Sequence, residues 1–167
     1  MFQYEATAYC FGDNINTDYI ISSRRKKDTI DPSELVPYLM EDIRPGFFGE
    51  IKGQALLVAG ENFGCGSLME VAAQIVYAAG IKVILAKSFA RGYYRNAVNN
   101  GIMPIVMDTS GILEGDTILV EMDEDSLTVT NGRTHQTVSC PPFRGMIGDI
   151  LKHGGLVPYR INKRKES

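Results

Sequence analysis

"QALLVAGENFGCGSLMEVAAQIVYAAGIKVILAKSFARGYYRNAVNNGIMPIVM", Gln54 to Met107, decides the fold. Its first part, Gln54 to Gly60, is a continuous apolar run ending in glycine, the pattern of a strand buried on both faces. The residues from about Leu68 to Ala79 favour a helix, and Gly80 is a natural C-terminal stop. Lys82 to Ser88 repeats the buried-strand pattern, Ala90 to Gly101 repeats a helix closed by glycine, and "IMPIVM" supplies a third buried strand. Strand, helix, strand, helix, strand in that order needs crossover connections. The middle of the chain is therefore expected to be a parallel sheet, in an α/β fold.

Outward from this core, Glu5 to Gly12 alternates and suits a first strand. Asp13 to Ile21 reads as a turn-rich lead into a short apolar run. Ser22 to Pro32 is expected to be a loop, and it carries four consecutive cations, Arg24, Arg25, Lys26 and Lys27. Asp31 is a plausible N-cap with Pro32 at the first helical position, and Pro37 should shorten or kink the helix that follows. Arg44 to Gly53 reads as a connection. After Gly111 the pattern alternates without helical period, which predicts β-hairpins with an Asn-Gly turn at Asn131-Gly132. Phe143 to Leu156 forms a last amphipathic helix stopped by Gly154-Gly155, and a charged tail after it is expected to fray. No repeat or long linker divides the chain, so residues 1–167 read as one domain.

Composition narrows the function classes. The chain has 167 residues, 44 % of them hydrophobic and 22 % charged, with a formal net charge of -3. That balance is ordinary for a globular protein and unsuited to coating nucleic acid. No apolar run is long enough to cross a bilayer, and the first residues lack the pattern of a secretory signal. Cys10, Cys65 and Cys140 are three in number and widely spaced, which gives neither a disulfide framework nor a metal clip. A reducing cytoplasm is the expected setting. The two histidines, His135 and His153, both fall in the C-terminal third. A Ser-His-Asp hydrolase or a histidine-ligated metal site is thus poorly supplied, and no metal is expected on this chain.

The chemistry concentrates in "GENFGCGSLME", Gly60 to Glu70. Glycines there let the backbone approach a ligand, and a helix N-terminus favours negative charge. Such a place can hold a ligand carboxylate or stabilise a Ser67 alkoxide acting as a base. Ser67 can equally be a plain helix cap in a tight turn. The spacing is not that of a phosphate loop, a dinucleotide fingerprint or a nucleophile elbow.

"GENFGCGS" followed by Glu70 and Ala72, then "AKSFARGYYRNAVNNGIMPI", resembles the small subunits of 3-isopropylmalate dehydratase, in the aconitase superfamily. "FGDNINTDYII", "DPSELVPYLMEDIRPGF" and "LKHGGLVPY" resemble that family's motifs too, in the same order, over nearly the whole chain. The resemblance implies a three-layer β/β/α swivelling domain with a parallel β-α-β-α-β core, C-terminal hairpins and a helix. It implies docking, as a heterodimer or heterotetramer, on a large subunit that carries a [4Fe-4S] cluster, with no cofactor in this chain. The reaction implied is isomerisation of a hydroxy dicarboxylic acid by dehydration and rehydration, first of all 2- and 3-isopropylmalate in leucine biosynthesis. A sister hydro-lyase of the homoaconitate or dimethylmalate kind is the alternative, with a non-catalytic binding domain as the reading from another class.

Residue by residue, the resemblance makes Ser67 the base that takes a carbon-bound proton. Arg24, Arg25, Lys26, Lys27, Gly66, Leu68 and Met69 become substrate-facing positions, and Asp18, Glu61, Asn62, Gly64, Glu70, Arg91 and Arg95 supporting ones. The family pattern G-x-G-S-S-R-E-H-A is departed from at Leu68, Met69 and Val71. Met69 stands where the family has the arginine that grips a substrate carboxylate. One of the loop cations would take that arginine's part and favour a polar or anionic side group. The other reading of the cations is a solvated face or a docking patch. In the absence of the large subunit the loop is expected to be disordered, because its cations have nothing to bind. Arg91 and Arg95 share a helix face, either near the substrate or pairing with the partner or Glu70. Cys65 is an oxidation-sensitive spot if the helix start lowers its pKa. Tyr93 and Tyr94 read as packing.

Overall fold

The computed structural model describes residues 1–166. Its centre is a seven-stranded mixed sheet in the order β4-β3-β2-β1-β5-β6-β7. The strands are β1 (Phe2–Cys10), β2 (Ala55–Ala59), β3 (Val83–Ala86), β4 (Met103–Val106), β5 (Thr117–Met122), β6 (Leu127–Asn131) and β7 (Thr137–Cys140). β1, β2, β3 and β4 pair in parallel, as the apolar runs predict, and β5, β6 and β7 continue the sheet antiparallel from β1. β2 and β3 are buried at every position, so both faces of the parallel half are covered.

One face carries α4 (Glu70–Ala78) and α5 (Arg91–Asn99). Ala72, Ala73, Ile75 and Val76 of α4 pack there with Leu57, Ala59, Ile84 and Ala86. On the other face Leu56, Val58, Leu85 and Ile105 share a cluster with Ile118, Val120, Leu127 and Val129. The antiparallel half thus folds back over the parallel half, which gives the β/β/α layering.

Several local expectations need correcting. The lead Asp13 to Ile21 contains a short helix, α1 (Thr17–Ile20), because Asn16 accepts a hydrogen bond from the Asp18 N–H and caps it. The cationic loop contains a 3₁₀ turn, Arg25–Lys27. Asp31 does cap α2 (Pro32–Leu35), and a 3₁₀ turn at Val36–Tyr38 replaces the helix at Pro37. The connection after Arg44 includes α3 (Phe47–Glu50), whose Phe47 is fully buried. The β6–β7 turn is longer than the Asn-Gly pair, since the Asn131 N–H donates to the Gln136 carbonyl at 2.9 Å. His135, with φ 58°, takes the left-handed position there. α6 (Gly145–Lys152) ends before the glycine pair, and the tail expected to fray forms α7 (Leu156–Glu166), leaving Ser167 outside the described residues. No helix among the described residues is long and apolar enough to cross a membrane.

Candidate functional site

Gly60 to Met69 joins β2 to α4 at the carboxyl end of the parallel strands, where open α/β sheets place their ligands. The segments after β1 and β3, on either side, hold it. Asp13 accepts from the Glu61 N–H at 2.7 Å, and the Gly64 N–H donates to the Ile15 carbonyl at 2.8 Å. From the other side the Asn62 N–H donates to Ser88 Oγ at 2.7 Å, and that hydroxyl donates to Glu61 at 2.6 Å. The Asn62 amide donates to the Asn14 amide oxygen at 3.1 Å.

Two glycines show why this loop needs them. Gly64 sits at φ +80°, and a Cβ there would lie 2.2 Å from the Tyr93 side chain. Gly66 sits at φ +90°, and a Cβ there would lie 2.5 Å from the Asn16 amide. Each has a left-handed backbone and a side chain pressed against it, and either alone disfavours other residues.

Ser67 follows directly. Its carbonyl accepts from buried Thr17 Oγ1 at 2.8 Å, while the Thr17 N–H donates to the Cys65 carbonyl at 2.9 Å. The main chain is therefore pinned and the side chain is left exposed, with no hydrogen bond to its hydroxyl among the described residues. A pocket of about 180 Å³ lies against it, lined by Thr17, Gly66, Leu68, Met69, Tyr93 and Asn96 among others. Thr17 and Asn96 were not picked out in the sequence. Thr17 lay in a segment read as a turn, and Asn96 falls one helical turn after Gly92 on the face of α5 toward the pocket.

The helix opens later than expected. The N-cap of α4 is Met69, which makes no side-chain cap bond, so Ser67 is neither the cap nor inside the first turn. Its carbonyl bond to Thr17, rather than the helix, sets its position. Cys65 likewise lies in a parallel bridge with Asn16, away from the helix start. Glu70 is exposed and forms no ion pair among the described residues, so the expected pairing with Arg91 or Arg95 is absent. Those arginines do share a face of α5, but they line a neighbouring groove. Asp18 is exposed on α1, and its side chain does not line the pocket.

The cationic loop is tied down within the chain, contrary to the expectation that its charges lack partners. Arg24 pairs with Asp42 at 2.6 Å. Arg25 forks onto both Glu41 oxygens at 2.7 and 2.9 Å and lies 3.8 Å above the Tyr38 ring centroid. That fork holds the Glu41 carboxyl below its ordinary range. These counter-charges lie 16 and 18 residues further along the chain than the arginines they meet. Lys26 differs: its Nζ donates to the Met69 sulfur, and it has no ion-pair partner among the described residues. Lys27 is exposed.

A homoaconitase small subunit from Methanocaldococcus jannaschii is 42 % identical over 158 residues, covering 95 % of this chain and 91 % of that one. The chain belongs to the aconitase-superfamily small subunits. This swivelling-domain family includes a 3-isopropylmalate dehydratase small subunit from Caldanaerobacter subterraneus, 43 % identical over 93 % of this chain and 96 % of its own. The Aconitase C-terminal domain model matches residues 46–110 of this small subunit. A crystal structure of 3-isopropylmalate dehydratase from M. jannaschii superposes with a TM-score of 0.90 at 39 % identity, covering 99 % of this chain and 96 % of that one. These relatives are hydro-lyase subunits bearing two different substrate names, so the likeness settles the reaction class and leaves the substrate to the site.

The donor set of this small subunit does not fit the implied cluster. Among the described residues no three His, Cys, Asp or Glu side chains converge as a metal-binding group. Cys10, Cys65 and Cys140 are free, and burial pushes the Cys10 thiol up to about 11.

Proposed function

We propose that this small subunit completes the pocket of a heteromeric hydro-lyase that interconverts 2- and 3-hydroxy dicarboxylic acids bearing a neutral side group, of the isopropylmalate kind. The observation that carries this is Lys26 against Met69 on the rim of the Ser67 pocket, with Arg24 and Arg25 already neutralised by Asp42 and Glu41. Of the two loop lysines left without an ion pair among the described residues, Lys26, at the pocket rim, serves the carboxylate that any such substrate carries. Leu68, 71 % exposed beside it, offers an apolar surface to the side group. The loop therefore no longer argues for an anionic side group as four free cations would.

In this reading the chain acts as one swivelling domain on its large subunit, and the [4Fe-4S] cluster belongs to that subunit. Two steps fall to this chain. Ser67 Oγ takes the proton from the carbon next to the hydroxyl-bearing one. The C–H electron pair forms the double bond as the hydroxyl departs, and rehydration sets a hydroxyl on the carbon that lost the proton and a proton on the carbon that lost the hydroxyl. Lys26 holds a substrate carboxylate by a charge-assisted hydrogen bond where the arginine of related sites is replaced by Met69. Gly64, Gly66, Thr17, Glu61 and Asn62 hold the Ser67 main chain still. A second reading, homocitrate-type chemistry, draws on exposed Lys27 as a cation for a further carboxylate.

The test is anaerobic reconstitution with the large subunit and turnover of isopropylmalate, homocitrate, citrate and dimethylmalate. Ser67→Ala should lower kcat by about 10²–10⁴-fold with the heteromer intact. Lys26→Met should raise KM by roughly tenfold or more, the worth of a hydrogen bond to a charged group. Faster turnover of homocitrate would favour the second reading. Unchanged kcat in Ser67→Ala, or turnover by the small chain alone, would overturn the proposal.

A further inference from the structure

On the other side of α5 from the Ser67 pocket lies an apolar groove of about 630 Å³ between α5 and α6. Its wall is Phe89 and Tyr94, packed edge to face at 6.0 Å, and its floor includes Val98 and Ile150. Its lip is unusually bare, with Val106 51 %, Met146 67 % and Ile147 40 % exposed. Arg91 and Arg95 stand beside it, exposed and without an ion-pair partner among the described residues. Arg24, Arg25, Arg44 and Arg133 all have acid partners, whereas the two groove arginines have none among the described residues.

Two features of this face are unfavourable in the free chain. Apolar side chains at the lip stay in water, at about 25 cal/mol for each Å² left uncovered. Like charges at i and i+4 repel along one side of α5. A partner that covers the lip with apolar side chains and sets carboxylates opposite the arginines relieves both. The cavity at the amino ends of the parallel strands differs, because it is lined by charges of both signs and its Lys152 is already paired with Glu124 at 3.3 Å.

We infer that this groove is a docking surface for the large subunit, and that it receives an apolar segment flanked by acidic residues. The inference rests on the heteromer reading above. Charge complementarity selects the acidic flank, and α5 explains the position. Its Gly92, Tyr93 and Asn96 line the Ser67 pocket while Arg91, Tyr94 and Arg95 line the groove. A partner seated in the groove therefore lies next to the pocket it must help to close.

The experiment measures the affinity of the full small chain for the large subunit by titration calorimetry. Wild type is compared with Met146→Asp, Ile147→Asp, the double variant Arg91→Glu/Arg95→Glu, and Val157→Asp. Val157, 67 % exposed on α7, does not line the groove and serves as control. Each groove variant should weaken binding about tenfold or more, and Val157→Asp should leave it unchanged. Added salt should weaken wild-type binding more than that of the double variant. Melting temperatures show which variants stay folded. The arginine pair, being exposed, keeps the test open if an aspartate variant unfolds.

Wild-type affinity in the groove variants would overturn the inference. So would self-association of the isolated chain through this face, lost in the groove variants while large-subunit binding persists. Failure of every form, wild type and control included, to bind the large subunit would bring down the heteromer reading itself, and this inference with it.

Discussion

Gly64→Ala separates two costs that the structure combines at one residue. The first is conformational: at φ +80° an L side chain costs roughly 1–2 kcal/mol. The second is steric, because the new Cβ would lie 2.2 Å from the Tyr93 ring atoms. Tyr93 is 2 % exposed and stacks edge to face on Phe63 at 5.2 Å, so it has no room to turn away. Overpacking of this kind costs about 1–3 kcal/mol, for a total of roughly 2–5 kcal/mol. At about 2–4 °C per kcal/mol for a chain of this size, melting should fall by roughly 4–20 °C.

Two other glycines serve as controls. Gly53→Ala, at φ +70° with nothing within 4 Å, should show the conformational cost alone. Gly92→Ala places a Cβ 2.4 Å from Leu68 Cδ1, but Leu68 is 71 % exposed and can swing out. Gly92 is also inside a helix, where alanine gains roughly 0.5–1 kcal/mol over glycine, so this change should be neutral or slightly stabilising. The assay is urea and thermal unfolding followed by far-UV circular dichroism. Equal losses in Gly64→Ala and Gly53→Ala would show that Tyr93 does not press on the loop. A loss in Gly92→Ala as large as that in Gly64→Ala would show that proximity alone, without regard to mobility, sets the cost.

Thr17→Val removes the hydroxyl that holds the Ser67 carbonyl at 2.8 Å. It should cost about 1 kcal/mol in unfolding free energy. In the reconstituted enzyme it should lower kcat more than it raises KM, and the reverse split would count against a positioning role. A second prediction concerns Asp116, buried at the start of β5, which accepts from Arg133, Asn131 and the Leu113 N–H. The Arg133 hydrogen bonds lead in lowering its pKa from 3.8 to about 2. A depressed carboxyl pKa stabilises the fold above the unfolded value and loses that contribution as pH falls through the folded one. Urea midpoints should therefore fall between about pH 4 and pH 2, and Asp116→Asn should flatten that fall while lowering the plateau above it. An unchanged slope in Asp116→Asn would refute the assignment.

The parallel half of the fold was legible because fully buried strands and glycine-stopped helices leave long, regular patterns. Residues 54 to 107 showed both. The short elements were not legible. α1 and α3 are four residues each, shorter than the window that periodicity needs, and tertiary burial of Ile20 and Phe47 holds them. At the site, Ser67 and the glycines stood out as types, while Thr17 became relevant only when the segment after β1 came alongside the loop after β2.

By itself the sequence determined the parallel core, the glycine loop after β2 and the one serine in it, because strand burial and positive φ are written in local residue types. Tertiary structure decided the fate of the charges. Four adjacent cations look alike along the chain, yet Arg24 and Arg25 meet Asp42 and Glu41, and Lys26 meets Met69. Which cation stays free for a ligand depends on distances between segments far apart in the chain, because a salt link a few ångströms long neutralises a charge that local sequence shows as unpaired.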